Sequence, residues 1–432
     1  MPNTTVVDAM TKLVVAVPLL FEKPFEPGFT RGDTLQNDLE ASLGGGLSEH
    51  SFAVVDLTDD PLRPAYAGWK DTTPRAVASL GKLLPLYCAY RLRADLRRWS
   101  RELSIGDLGA LAANVREEYR RKGATTPTRP RIEKLATLVA AGDVDFTHVP
   151  KTEPFLELFH VDTVRKARTF GKLGSDTALD IELADPTFRE QLRLMGGWSD
   201  DVSAAVVIEA LGFRYLWAAA KATGLFRDSW PALTRNDTRP GPRGGLFIAL
   251  DYWGTRWTRR ADDAPTAAET FLQAGTARSV ASLMTMLAQD RLVDYQAGVA
   301  MREMLRKRSD FTGLGLKEDS PIGIGMAAWK PSAGWASPQG PWAPVQAPWD
   351  YDTVPPAPVA TAELAVSKIG VIPGVSCNAL LVRANRTKST GASVTITALL
   401  VGINNVSSAF TSLETFGRRM AEKLDRRHGV VT

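Results

Sequence analysis

Strand-like segments lie near the two ends of this 432-residue chain, and a long helical middle separates them. Near the amino end, Ser51–Leu57 and Arg63–Trp69 are joined by the turn Thr58-Asp-Asp-Pro, which predicts a β-hairpin. Near the carboxyl end, three more strands are predicted at Glu363–Gly370, Ser376–Ala384 and Ser393–Ile403. Strands from both chain ends must therefore meet in one antiparallel sheet.

Helical patterns account for most of the middle. They occur at Ser79–Trp99, Gly106–Lys122, Ile132–Ala141, Pro186–Met195, Asp201–Leu211, Phe213–Thr223, Thr276–Asp290 and Tyr295–Lys307. A final helix, Thr411–Arg427, has an apolar face formed by Phe410, Leu413, Phe416, Met420 and Leu424. We expect an α/β lobe from 30–78 and 360–432, with the final helix on its sheet, and a helical lobe from 79–328 with insertions. A crevice between two lobes is a usual place for small-molecule chemistry.

Composition indicates an ordinary globular protein, with 44% hydrophobic and 23% charged residues. Lys and Arg total 52 against 48 for Asp and Glu, so the basic surplus is small. Arginines cluster near 91–98, 116–131 and 418–427, but acidic residues are interspersed within these helical patterns. We therefore expect no nucleic-acid partner.

The cysteines and the amino terminus bear on the compartment. Cys88 and Cys377, the only cysteines, lie in apolar surroundings, which favours two buried thiols over a disulfide or a metal site. The apolar stretch Leu13–Leu20 lacks the flanks of a secretory signal, and no apolar run has the length of a membrane span. We expect a cytoplasmic protein with no membrane span. The sequence leaves the oligomeric state open.

One serine and one lysine interrupt the apolar run at residues 74–87. Ser79 and Lys82 are spaced i, i+3, so on a helix they share a face and the amine can reach the hydroxyl. A desolvated, neutral lysine can take the proton of a serine that attacks a carbonyl. The alternative is structural: Ser79 caps the helix, and Lys82 extends its amine to solvent.

Two further motifs follow in order. Gly197-Trp-Ser-Asp-Asp places Ser199 and Asp201 at a helix start, and Val366-Ser-Lys-Ile-Gly-Val places Lys368 and Gly370 on a strand. With Ser79-x-x-Lys82, the chain resembles the penicillin-recognising serine hydrolases, the class A β-lactamases and DD-peptidases, with their Ser-x-x-Lys, Ser-Asp-Asn and Lys-Thr-Gly motifs. The structural alternatives are an N-cap cluster at 199–201 and an edge-strand lysine at Lys368.

The resemblance covers roughly half of the chain and implies a β-lactamase/transpeptidase-like fold, with a five-stranded antiparallel sheet flanked by helices plus a helical lobe, in one catalytic unit spanning 1–432. It implies that Ser79 is the acylated nucleophile and Lys82 its base. The resemblance also implies that Ser199 relays a proton, that Asp201 supports Lys82 or a substrate amide, and that Lys368 supplies positive potential. The N–H groups of Ser79 and Val371 would form an oxyanion hole. Gly370, Val371 and Trp198 would contact the substrate.

The sequence departs from the family in two places. Ile369 and Val371 replace hydroxyl residues that help relatives bind a β-lactam carboxylate. The deacylating Glu-x-x-Leu-Asn segment of class A enzymes has no match between 226 and 274, where the only glutamate is Glu269. Asp251, Asp262 and Asp263 are possible substitutes, so Lys82 serves both half-reactions or the acyl-enzyme turns over slowly.

A Trp/Pro-rich loop at 329–359 precedes the third motif. Residues 329–358 hold eight prolines together with Trp329, Trp335, Trp342 and Trp349, a composition that excludes helix or central strand. Two interpretations remain: an aromatic lid over a bulky or apolar acyl group, or a polyproline-like surface segment with its tryptophans against the body.

The sequence thus predicts a serine hydrolase that acts on an ester or amide through an acyl-enzyme, without a metal or organic cofactor. One alternative is a β-lactamase or DD-peptidase. Another is a slow-turnover acyl-accepting sensor or a pseudoenzyme. The four histidines are His50, His148, His160 and His428, and none lies near a motif in sequence, which gives little support to a metal site or a Ser-His-Asp triad.

Overall fold

The computed structural model describes residues 26–73, 75–102, 105–107, 109–111, 113–114, 159–161, 181–183, 186–211, 216, 219, 223, 247–248, 273–305, 320–329, 364–372, 374–404 and 409–431. The predicted helix at Ile132–Ala141, most of the predicted helices at Gly106–Lys122 and Phe213–Thr223, and the Trp/Pro-rich loop beyond Trp329 lie outside these residues.

The predicted strands and those predicted helices that the structure describes occur in the predicted order. The strands are β1 (Thr30–Arg31), β2 (Ser51–Asp56), β3 (Ala65–Trp69), β4 (Arg75–Ala76), β5 (Phe159–Val161), β6 (Ile181–Leu183), β7 (Phe247–Ile248), β8 (Gln273–Gly275), β9 (Leu364–Ile372), β10 (Val375–Thr387) and β11 (Ser393–Asn404). Of these, β1 and β4 to β8 are short strands that the sequence patterns did not indicate. The α-helices are α1 (Asp33–Ala41), α2 (Leu83–Glu102), α3 (Pro186–Arg193), α4 (Asp201–Leu211), α5 (Ala277–Ala288), α6 (Tyr295–Leu305), α7 (Pro321–Ala328) and α8 (Ala409–Arg427).

Strands from the two chain ends form one sheet, in the order β1-β3-β2-β11-β10-β9. The predicted β2–β3 hairpin is antiparallel, and β11 joins the two halves by pairing with both β2 and β10. The expected five-stranded antiparallel sheet is corrected in one detail. A sixth strand, β1, pairs in parallel with β3, which makes the sheet mixed. Two residues are too short for any alternation, so the sequence pattern carries no signal for β1.

The two faces of the sheet are covered by different helices. The back face, which bears Leu380, Val382 and Ala384 of β10, packs against apolar residues of α1, α7 and α8. On α8 the predicted face is confirmed at Leu413, Phe416, Met420 and Leu424. Phe410 is the exception, since it lies in the first turn of α8 and remains 43% exposed.

Helix α7 crosses α8 at very close range. A Cβ on Gly325 would lie 1.8 Å from the Glu414 carbonyl oxygen, and one on Gly417 would lie 2.1 Å from that of Ile322. Only glycine allows the two backbones to approach in this way. This helix was missed in the sequence, and although its residues fall within 79–328 it packs on the back of the sheet.

The front face of the sheet carries Cys377, Ala379 and Leu381 and packs against α2 and α5. A buried ion pair fixes α5 to the hairpin: Arg278 Nε donates to Asp71 Oδ2 at 2.7 Å, and both side chains are 1% exposed. The Tyr66 hydroxyl donates to the same oxygen at 2.6 Å. The start of α5 is thereby held beside the turn that leads into the Ser79 segment.

The predicted buried thiols are confirmed: Cys88 and Cys377 are buried and free. Burial raises the pKa of Cys377 to about 12, and its thiol donates to the Ala76 carbonyl at 3.5 Å. Among the described helices, none combines the length and apolarity needed to cross a membrane.

The carboxyl end of the chain is tied to the hairpin by Asp56. Its carboxylate accepts hydrogen bonds from Arg427 Nε at 2.8 Å and from the Thr58 N–H at 3.0 Å, and lies 2.9 Å from His428 Nε2. Burial alone would raise the pKa of Asp56, but the bond and charge of His428 and the bonds from Thr58 outweigh it and lower this pKa to about 2. The carboxylate is therefore stabilised in the folded state.

We expect Asp56→Asn to lower the free energy of unfolding at pH 7 by about 2 kcal/mol, the value of the pKa shift. Because the folded-state pKa is depressed, this contribution is complete well above the unfolded value near 3.8 and is lost as the pH falls through about 2. Urea titrations at pH 7, 4 and 3 should show the gap between wild type and variant narrowing. The exposed Asp59→Asn is the control, and a gap independent of pH would contradict the prediction.

Candidate active site

The Ser79 turn is a short 3-10 helix, Ala78–Lys82, that leads directly into α2. In a 3-10 helix, residues i and i+3 eclipse each other, so Ser79 and Lys82 lie on one side of this turn. Ala78 has a φ of +45°, a left-handed conformation that costs a residue with a Cβ of the order of 1 kcal/mol. This strain occurs immediately before Ser79, which is 9% exposed. Within the described residues, the Ser79 hydroxyl forms no hydrogen bond.

Lys82 is buried rather than extended to solvent, since its side chain is 0% exposed. Its ammonium donates to Asp201 Oδ1 at 2.5 Å and to the Ser199 carbonyl, and it lies 3.5 Å from Ser199 Oγ. The structural alternative for Lys82 therefore does not hold. The Asp201 carboxylate, however, favours the charged form of this lysine, whereas the sequence argument relied on a neutral amine.

Adjacent residues of the second motif, Ser199 to Asp201, have different roles. Helix α3 ends in a π-helical turn, Leu194–Trp198, after which Ser199 takes a left-handed φ of +62°. Asp200 is the capping residue of α4, because its carboxylate accepts from the Ser203 N–H at 2.6 Å. Ser199 and Asp201 instead meet the lysines, so the N-cap interpretation applies to Asp200 alone.

Lys368 reaches the same place from the sheet. It lies on β9, is 2% exposed, and donates to Ser199 Oγ at 2.6 Å. It also donates to the Ile369 carbonyl at 3.1 Å. Although β9 is an edge strand, Lys368 is not a solvent-exposed edge lysine. Ser199 Oγ consequently lies between two ammonium groups that come from elements far apart in sequence.

Gly370 brings strand β9 against the Ser79 turn. A Cβ at this position would lie 2.4 Å from the Val77 carbonyl oxygen and 2.9 Å from the backbone nitrogens of Ser79 and Leu80. Any side chain would therefore separate the strand from the turn. Next to it, Val371 is 37% exposed, while Trp198 is partly buried at the end of the π-helical turn.

Asn378 is a residue that the sequence analysis missed. This buried amide of β10 donates to the Lys368 carbonyl at 3.2 Å and to Ser367 Oγ at 3.0 Å. Its oxygen accepts from Ser320 Oγ at 2.6 Å and from the Ile322 N–H at 3.1 Å. Asn378 thus holds both β9 at Lys368 and the start of α7. A lone asparagine in the apolar run 377–382 was the available signal, because a buried amide needs partners.

Several predicted features fall outside the described residues. They are Asp251, Asp262, Asp263, Glu269, Trp335, Trp342 and Trp349. Trp329 is described: its indole donates to Asp425 Oδ2 at 2.9 Å and packs with the back-face residues, away from Lys368. Among the described residues, no group of three or more His, Cys, Asp or Glu side chains could hold a metal ion.

Comparisons with known proteins bear on this geometry. A family model described as the β-lactamase enzyme family matches residues 161–325, which include Ser199 and Asp201. The resemblance to the β-lactamase and penicillin-binding-protein-like serine hydrolases is confirmed. The described fold keeps the predicted arrangement, a sheet built from both chain ends with helices on its two faces, except that the sheet is mixed and has six strands. The relationship supports serine hydrolase activity in general terms.

Solved structures also align with the chain at low identity. A β-lactamase from Sphaerobacter thermophilus is 13% identical at a TM-score of 0.41, with 92% of this chain and 98% of that chain covered. PBP-A is 11% identical at 0.40, with 91% and 97% covered. A class A β-lactamase from Mycobacterium abscessus gives the same values as PBP-A. No curated protein matches the sequence.

We expect Gly370→Ala to slow the reaction of Ser79 with a fluorophosphonate, a reagent for activated serines, by at least tenfold. The added Cβ would push the Ser79 turn away from β9. Labelling rates should be measured well below the unfolding temperature. Gly44→Ala is the matched control, because the nearest described atom to a Cβ there is Arg419 Nη1, at 3.8 Å. An unchanged rate in Gly370→Ala would contradict the assigned contact.

We expect Asn378→Leu to reduce the same labelling rate by about tenfold, because Lys368 loses the bond that fixes its backbone. Asn385→Leu, on the same strand, is the control: the Asn385 side chain bonds Thr395 at 2.8 Å. Both rates should be compared well below each variant's unfolding temperature. A lowered unfolding temperature with an unaltered labelling rate would show that Asn378 stabilises the sheet without positioning Lys368.

Proposed function

We propose that this protein is a serine hydrolase that forms an acyl-enzyme at Ser79 from an ester or amide substrate. One observation carries the proposal: the Lys82 and Lys368 ammonium groups, from separate elements, converge on Ser199 beside the Ser79 turn. Burying two cations is costly unless they are paired and hydrogen-bonded. Buried ionisable groups that meet beside a strained serine turn are a recognised mark of catalytic sites.

The acylation step uses Lys82 as the base. When substrate excludes water, a proton shifts from Lys82 Nζ to Asp201 Oδ1, which leaves a neutral amine beside a neutral acid. The amine takes the Ser79 proton as Oγ attacks the carbonyl carbon, and it becomes an ammonium again. The resulting oxyanion accepts hydrogen bonds from the N–H groups of Ser79 and Val371, each donor contributing about 10²- to 10³-fold.

Ser199 transfers a proton to the leaving group. Its oxygen already accepts a hydrogen bond from Lys368, so its own proton is free to point toward the substrate. The leaving group takes this proton as its bond to the acyl carbon breaks, and the Lys82 ammonium returns a proton to Ser199. Lys368 remains charged and stabilises the negative charge that develops. Lys82, neutral again, then activates the water that hydrolyses the acyl-enzyme.

Two alternatives differ in substrate or turnover. A β-lactamase or DD-peptidase would use the same nucleophile, but Ile369 and Val371 offer no hydroxyl for a β-lactam carboxylate. A slow-turnover acyl-accepting sensor is favoured by the lack of a Glu-x-x-Leu-Asn segment between 226 and 274. The three functions predict different fates of the acyl group.

Intact-mass spectrometry after incubation with nitrocefin, a fluorescent penicillin, p-nitrophenyl esters and a fluorophosphonate tests the proposal. We expect one phosphonate adduct at Ser79 and steady ester turnover, both abolished in Ser79→Ala, with a loss of at least about 100-fold in Lys82→Met. Nitrocefin turnover indicates a β-lactamase, and a lasting acyl adduct indicates a sensor. Ser282→Ala is the control, because the hydroxyl it removes donates to the Arg278 carbonyl within α5. Labelling that persists in Ser79→Ala would overturn the assignment.

A further inference from the structure

Ser199 occupies a helix-ending position that is most often glycine. It directly follows the π-helical turn Leu194–Trp198 and has a left-handed φ of +62°. The Asp200 N–H donates to the Leu194 carbonyl at 3.2 Å and so closes the turn around it. A residue with a Cβ is strained in this conformation relative to glycine, so the surrounding contacts must impose it.

The π-helical turn before Ser199 rests on helix α6. Gly196, in this turn, is buried, and a Cβ on it would lie 3.0 Å from the Met304 carbonyl oxygen in the last turn of α6. This distance leaves little room for a methyl group, so glycine allows the turn to lie directly against the α6 backbone. Single π-helical turns within helices occur frequently at functional sites.

Helix α6 is in turn held by α2, which continues from the 3-10 helix of the nucleophile. The Tyr90 hydroxyl donates to Met304 Sδ at 3.4 Å, and Tyr90 is buried. At the start of α6, Arg93 Nη2 donates to both carboxylate oxygens of Asp294 at 3.2 Å. Helix α2 therefore contacts α6 at both of its ends.

These contacts connect the helix that follows Lys82 with the turn that carries Ser199. Lys82 Nζ lies 3.5 Å from Ser199 Oγ, and Lys368 Nζ lies 2.6 Å from it. A hydroxyl that gives its proton to a leaving group must lie within hydrogen-bond reach of it, and a misplacement of about 1 Å can cost about 10²-fold in rate. A shift of the π-helical turn would move Ser199, whereas the Ser79 turn is in contact with β9 at Gly370.

We propose that Gly196 and Tyr90 are positioning residues, which place Ser199 Oγ for protonation of the leaving group through the packing of the π-helical turn on α6. The inference rests on the proposed acylation of Ser79 and on the proposed proton transfer from Ser199. It predicts a defect confined to substrates whose leaving group needs a proton.

A series of butyrate esters tests this, with p-nitrophenyl, phenyl, trifluoroethyl and ethyl leaving groups. The first departs as a stable anion, whereas ethoxide is strongly basic and needs a proton. In Gly196→Ala we expect kcat/KM to fall by about fivefold or more for the ethyl ester and by less than about twofold for the p-nitrophenyl ester. The dependence of log kcat/KM on leaving-group basicity should thus become steeper.

Two further single variants accompany Gly196→Ala. Tyr90→Phe keeps the ring but removes the bond to Met304, so it should steepen the dependence to a smaller extent, and it provides the same test if Gly196→Ala does not fold. Gly32→Ala is the matched control, because a Cβ there lies 3.1 Å from that of Ala65, at the start of the back-face helix α1. It should keep the wild-type dependence.

A double variant separates positioning of Ser199 from a general loss of structure. Ser199→Ala should itself steepen the dependence, and adding Gly196→Ala should steepen it no further, because the hydroxyl that the turn positions is already gone.

The outcomes distinguish this inference from the proposed function. If neither Gly196→Ala nor Tyr90→Phe steepens the dependence, if the double variant is steeper than Ser199→Ala, or if wild type is already as steep as Ser199→Ala, the inference fails and the acylation of Ser79 stands. If the fluorophosphonate leaves wild-type Ser79 unlabelled, the proposed function fails and the inference with it.

Discussion

The buried ammonium of Lys82 is the constraint around which the site is arranged. A charge with no exposed side-chain surface must find partners within the protein, and here they are the Ser199 carbonyl and the Asp201 carboxylate. Both partners lie 117–119 residues farther along the chain, where the π-helical turn ends and α4 begins. Ser199 takes a left-handed backbone conformation between these two elements, and its carbonyl there accepts from the lysine. Removing the Asp201 carboxylate would take away the negative charge that forms an ion pair with this buried ammonium.

The sheet supplies the remaining component through contacts on both of its faces. Lys368 extends from β9 to Ser199 on the front face. Asn378, on the neighbouring strand, donates to the Lys368 carbonyl and accepts from the Ile322 N–H at the start of α7. Gly370 then permits β9 to touch the Ser79 turn. The strand and the Ser79 turn are thus in direct backbone contact, and Lys82 and Lys368 link the turn and the strand, respectively, to Ser199.

Much of this arrangement was predictable because it follows from periodicity and spacing. The hairpin, the three late strands and the helices beginning at Asp201 and Tyr295 all have strong local patterns, and the i, i+3 spacing aligned Ser79 with Lys82. What failed were features without a local signal. Strand β1 has two residues, and Phe410 fits the apolar face of α8 but lies in its first turn, where it stays exposed. The bonds of Asn378 depend on a helix from another part of the chain.

A carboxylate at residue 201, in place of the carboxamide of an asparagine, has two consequences for the site. A carboxylate stabilises the Lys82 ammonium, which opposes its use as a base until water is excluded and the proton shifts. The same charge makes the exposed edge of residue 201 an acceptor only. In the proposed mechanism, release of the Lys82 base therefore depends on the exclusion of water around its bond with Asp201.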